Sequence, residues 1–223
     1  MANLQAVERS VLDVASAHAE RTAACGLAGH RHALRLADAS GPQAARDLAD
    51  AVHLLCSLYG RHPGLIELAL NYCADGAARN WLLAASAGFE RERLYLVRLA
   101  AAVGPLPSTP GSAQTESALG QQRHATETLA VSERCGCALG ATTALVSDWA
   151  AVRFVLDRAA ARAGVDVPVC AMPDRAAVED VLGAMMVGPA AERAVSFGSE
   201  QLLLQNRGLF DLLEARASAR GDY

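Results

Sequence analysis

Residues 112–164 read SAQTESALGQQRHATETLAVSERCGCALGATTALVSDWAAVRFVLDRAAARAG. The stretch contains no proline, and nearly every residue in it favours a helix. It carries polar groups at helical spacing: Glu116, Arg123, His124, Glu127, Glu133 and Arg134. It also holds Cys135, Gly136, Cys137 and one of the two tryptophans, Trp149. A single helix over 113–163 would be about 77 Å long at ~1.5 Å per residue, whereas a compact chain of this length is roughly 45 Å across. The apolar face also changes. Before Gly136 it is small (Ala118, Ala125, Leu129, Ser132). After Gly140 the larger Leu145, Trp149, Val152 and Val155 lie on a nearly opposite side. The spacing therefore predicts a kink or break between Cys135 and Thr143, near 136–143, with Gly136 and Gly140 as the weak points.

Outward from this stretch the chain reads as helices on both sides. Alanine makes up about a fifth of the 223 residues, isoleucine occurs once (Ile66), and aromatics are 4%. That balance disfavours sheets, which prefer β-branched and aromatic residues. The expected fold is all-α: one domain over 1–223, a bundle of about seven to nine helices, with 1–40 as a peripheral N-terminal helical pair. Ser40 three residues before Gln43 reads as a capping box. Asp174 reads as the cap of a later helix, and Gly188-Pro189 as a stop followed by a new start. The proline-rich loop 104–111 is short. It predicts that helix 77–103 and the stretch 113–163 form a central antiparallel hairpin.

That hairpin register places Glu90, Arg93, His124 and Glu127 at one level, the one polar centre to be expected from the sequence. Carboxylates and histidines on facing helices can hold metals, but bundles of that kind use Glu-x-x-His steps, and none occurs here. Burying two carboxylates needs a counter-charge, and Arg93 is at hand, so ion pairing rather than metal binding is expected. Cys135-x-Cys137 lacks a second pair for a zinc site. His53, with Asp50 three residues before it, reads as an acid–base couple or a structural hydrogen-bonder. Gln201 and Gln205, beside Gly198, place amides on a largely apolar face, where they either line a pocket or pair with polar groups of another chain.

Composition excludes several chemistries. No lysine occurs, so neither a Schiff-base lysine nor a P-loop lysine is available. The formal net charge is −4 with no basic stripe, so no nucleic-acid partner is expected. The first residues lack the pattern of a secretory signal, and no apolar run of membrane-spanning length free of charges occurs. Six irregularly spaced cysteines fit reduced thiols in the cytoplasm. The expected function is a non-catalytic binding or interaction protein for a protein partner or a small apolar ligand, with no cofactor. One alternative is a ferritin-like carboxylate–histidine metal-binding oxidoreductase, and a second is the ligand-sensing bundle of a regulator. Small residues at Gly120, Gly136, Gly140, Gly183 and Gly198 permit close helix approach, within the chain or in a homodimer.

Overall fold

The computed structural model describes residues 2–73, 76–134, 136–185 and 188–221. Among them are nine α-helices and no strand. In order these are α1 (Ala2–Cys25), α2 (Arg31–Ala37), α3 (Gly41–Tyr59), α4 (Leu65–Tyr72), α5 (Gly76–Ala102), α6 (Ser112–Ala130), α7 (Cys137–Ala163), α8 (Arg175–Met185) and α9 (Pro189–Arg220). A short 3-10 turn, Leu27–Gly29, joins α1 to α2. The all-helical bundle is as composition predicts.

The centre of the bundle is α7. It is buried on every side over 139–146, where the Thr142 and Thr143 hydroxyls donate to carbonyls of their own helix, and it packs against α9, α3, α2, α5 and α6. It is the one described helix long and apolar enough to cross a membrane, but 78% of that window is buried inside the protein. Its closest neighbour is α9, and glycines set the distance. A Cβ at Gly140 would lie 2.1 Å from the Val195 carbonyl oxygen, and one at Gly198 would lie 2.0 Å from that of Cys137. Ser199 closes the crossing by donating to the Gly140 carbonyl at 2.9 Å. Gly136, Gly140 and Gly198 thus serve a contact within the chain, so the small-residue argument for a homodimer loses three of its five members.

The long stretch is broken, but earlier than expected. α6 ends at Ala130 and α7 begins at Cys137. Gly136 caps α7 in the left-handed region, at φ 98°, where a side chain would be strained. Gly140 lies inside α7: it is there for close approach, not for flexibility. Cys135 lies outside the described residues.

The hairpin expectation fails. α6 packs on α4, α7, α9 and α3 rather than along α5. The cause is the loop between them, which is held at two points. Gly104 offers its carbonyl to His53 Nε2 on α3 at 2.8 Å. Thr109 accepts from Arg216 and Arg220 on α9, at 3.2 and 3.0 Å. The chain is led across the bundle instead of turning back. Capping also differs from expectation at one position. Ser40 makes no side-chain cap, whereas Glu67 accepts the Gly64 N–H at 2.8 Å at the start of α4. Asp174 caps α8 as expected, accepting from Ala177 N–H at 2.9 Å.

Candidate ligand cleft

The second half of α1 presents Ala15, Ala19 and Ala23 on one stripe. Across from them α7 presents Ala150 and Ala151. Methyl groups facing methyl groups do not fill the space between two helices, and a cleft of about 820 Å³ remains. The α1–α2 junction forms its other walls together with α8 and the connector at Cys170–Pro173. Leu34 and Phe154 stand at its edge, 52% and 69% exposed. The connector is pinned by Arg153, whose Nη2 donates to the Pro168 carbonyl at 2.7 Å. Arg153 also pairs with the buried Glu92 at 3.2 Å, and Glu92 accepts from the Trp149 indole N–H at 2.8 Å. One buried carboxylate therefore fixes both the aromatic floor and the connector wall.

Two polar chains end at the cleft. In the first, Ser199 spends its proton on Gly140, so it accepts from His18 Nδ1–H at 3.2 Å. That leaves His18 Nε2 as an acceptor for the Ser147 hydroxyl at 3.3 Å. In the second, Asp148 accepts from Leu27 N–H at 2.7 Å and from Asn206 Nδ2 at 2.8 Å. The Tyr59 hydroxyl donates to Asn206 Oδ1. Burial raises the Asp148 carboxyl above its usual range, opposed by the Asn206 and Leu27 bonds. Burial likewise pushes the Tyr59 phenol upward. Tyr59, Phe89 and Trp149 pack edge-to-face beneath, with centroids 5.6 Å apart for Tyr59–Trp149 and 4.8 Å for Phe89–Trp149.

The Ser147–His18 couple resembles an activated nucleophile, but the surroundings oppose that role. Ser147 lies mid-helix, where its backbone N–H is spent on the helix ladder and cannot hold an oxyanion. Burial, and then the charge of Arg21, lowers the His18 pKa from 6.5 to about 4, which makes it a weak base.

The depressed His18 pKa has a pH consequence. Between pH 6.5 and about 4 the unfolded chain holds a proton on this residue that the folded chain refuses. The stability gained from neutral His18 is complete above pH 6.5 and is lost as pH falls through that window. The loss approaches ~1.4 kcal/mol per pH unit, or roughly 3 kcal/mol in all. His32 is lowered to about 4 as well, by burial and then Arg35, and acts in the same direction. Urea unfolding from pH 7 to 4.5 is expected to show a shallower decline for His18→Gln than for the wild type. Parallel declines would remove His18 as the cause.

The four residues expected from the hairpin register do not form one centre. Arg93 is buried and donates to Glu90 at 2.8 Å and to Glu67, with its guanidinium 4.9 Å over the Phe89 ring. Glu90 is exposed on α5, and His124 and Glu127 are exposed on α6. Ion pairing of Glu90 with Arg93 is present; the meeting with His124 is not, because α6 takes another path. Among the described residues no group of three or more His, Cys, Asp or Glu side chains is placed to hold a metal. Asp50 and His53 are not a couple: Asp50 takes Arg216 and Arg220, and His53 takes the Gly104 carbonyl. Gln201 and Gln205 do not line the cleft; the Gln205 carbonyl accepts from Gln122 at 3.2 Å.

The sequence reading missed His18, Ser147 and Asp148. A signal for the last was present. Asp148 is a carboxylate inside the most apolar run of the chain, and such a residue must have buried partners.

Over residues 22–221 the chain matches the model of a family described as Family of unknown function (DUF6975), and it belongs to that family. No curated protein and no solved structure matches it.

Proposed function

We propose that this chain is a non-catalytic binding protein for a small, largely apolar ligand held in the cleft between α1, α2, α7 and α8. The observation that carries this reading is the cleft itself: about 820 Å³, within the ~300–1,000 Å³ range of small-molecule sites. Its apolar walls are alanine and larger aliphatic side chains with Trp149 and Phe154, and a polar pair, His18 and Ser147, also lines it. Both members are already hydrogen-bonded, so a ligand meets a rigid surface and does not have to order it. A cytoplasmic setting accords with five cysteines that form no disulfide among the described residues.

The test is a titration with Nile red, a neutral dye that brightens in apolar sites. Saturable binding at one site per chain is expected, with Trp149 emission changing in parallel. Ala150 is exposed on α7 at the cleft, and Ala150→Trp should fill the opening without disturbing the core. It is expected to weaken the dye by about tenfold, or ~1.4 kcal/mol. Equal binding by wild type and Ala150→Trp would sink the reading.

A second reading, a homodimer through α5, rests on a different observation. Leu83, Ala87, Glu90, Leu94, Val97 and Ala101 are all exposed and recur at alternating steps of four and three, the spacing of a coiled-coil seam. Two antiparallel copies would set Leu83 of one opposite Leu94 of the other. Sedimentation of wild type against Leu94→Glu tests this. A monomeric mass for wild type at micromolar concentration would end it.

A further inference from the structure

The cleft's charge goes further than its size. Among the described residues, the acidic side chains lining it are Asp38, Asp148, Asp174 and Glu179 and the basic one is Arg175, with Arg21 acting on His18 from outside the lining. Arg175 is already committed, its Nε pairing with Glu179 at 2.6 Å. The neutral donors are committed too. The Thr22 hydroxyl donates to the His18 carbonyl at 3.0 Å, and the Ser147 hydroxyl is taken up by His18 Nε2. His18 stays uncharged at neutral pH, since its pKa is lowered to about 4. An anionic head group would meet more carboxylates than cations, and the one lining cation already faces Glu179. A cation would find the carboxylates of Asp38 and Asp174, since Asp148 and Glu179 are taken by Leu27, Asn206 and Arg175, together with the exposed ring of Phe154, whose face attracts positive charge. Asp38 lies at the C-terminus of α2, where the last carbonyls of the helix add to the negative potential.

We propose that the ligand is a lipophilic cation: an apolar body carrying an ammonium or another amine protonated at neutral pH. This rests on the reading of the cleft as a small-molecule site. The apolar body lies between the α1 and α7 alanines, and the charged head lies at the edge near Asp38 and Asp174. Fatty carboxylates and sulfates, the commonest amphiphiles, are disfavoured by the same charges.

The experiment compares three probes with one tail, decylammonium, decanol and decanoate, each well below micelle-forming concentration. Binding to the full chain is followed by calorimetry and by Nile red displacement. Decylammonium is expected to bind about tenfold tighter than decanol, and decanoate weaker than decanol. Half-molar salt should shrink the preference, since charges at the edge are screened. The double variant Asp38→Asn, Asp174→Asn removes the two carboxylates assigned to the head, and asparagine at 174 can still cap α8. It should bring the ammonium and alcohol affinities within about threefold of each other. Decanoate binding as tightly as decylammonium would overturn the cation proposal and leave the apolar cleft standing. So would a preference that survives the double variant. If none of the three probes binds, the cleft reading itself fails, and the proposal with it.

Discussion

Gly140→Ala is expected to destabilise the protein by about 3 kcal/mol or more, and Gly198→Ala by a similar amount. The added methyl at Gly140 would sit 2.1 Å from a backbone oxygen of α9, and that at Gly198 2.0 Å from a backbone oxygen of α7. Real carbon–oxygen contacts lie far beyond such distances. Neither obstacle is the free end of a side chain that can swing aside, so the helices must separate. Separation would strip packing from Leu202, Val195 and Leu139 and pull Ser199 away from Gly140. The loss then spreads to His18, which Ser199 holds. Gly120→Ala is the control. It also lies mid-helix, but its nearest outside atom is 3.9 Å away, the end of the Arg123 guanidinium. Removing a glycine there should stabilise α6 by up to ~1 kcal/mol. Urea midpoints read by circular dichroism would decide it. A Gly140→Ala protein as stable as Gly120→Ala would show that the two helices do not depend on this contact.

That comparison shows where sequence reading succeeded and where it stopped. Alanine content and the scarcity of β-branched residues made the helices legible, and Gly188-Pro189 and Asp174 marked ends that the structure keeps. Glycines inside helical runs were ambiguous. The same residue type reads as a break or as a point of close approach, and only the partner helix distinguishes them. Gly136 proved to be the first kind and Gly140 the second. The order in which helices pack was not legible either. A short proline-rich loop ordinarily returns a chain beside itself. Here the direction is set by Thr109 and Gly104, whose partners come from α9 and α3, far off in sequence.

The site was less legible than the fold for a related reason. The polar centre expected from the sequence depended on one register between neighbours in the chain. The cleft is assembled from α1, α2, α7 and α8, and alanine, which carries no chemical signature, is the commonest residue in its wall. His18 looked like any histidine in an amphipathic helix. Its roles come from Ser147 and Ser199, 129 and 181 residues away. What a close reading could have caught is the demand that a buried charge makes on its surroundings. Asp148 and Glu92 each sit among apolar neighbours, and each has the partners that burial requires.

The same demand makes Asp50→Ala the substitution with the other largest expected effect. Asp50 is fully buried and accepts from Arg216 Nε and Nη2 at 2.9 and 2.8 Å, and from Arg220 Nη1 at 2.6 Å. Both guanidiniums are nearly sealed from water, with side chains 5% and 3% exposed. Arg220 also holds Asp47 at 2.6 Å, and Arg216 holds Thr115 at 2.9 Å. Through these contacts α3, α9, the 104–111 loop and the start of α6 are tied at one point. Removing the Asp50 carboxylate takes from two buried cations the acceptor they share. A cost of about 3–5 kcal/mol is expected, the usual result of breaking a buried pair on one side. The double variant Asp50→Leu, Arg216→Met removes charge from both sides and refills the volume. It should recover much of that loss, because the desolvation of both groups is relieved together. Arg220 keeps Asp47 as its partner in the double variant. Urea unfolding of the single and double variants provides the measurement. If the double variant is as unstable as Asp50→Ala, the network's contribution lies in the geometry it imposes on the loop, and stranded charge is not the cause.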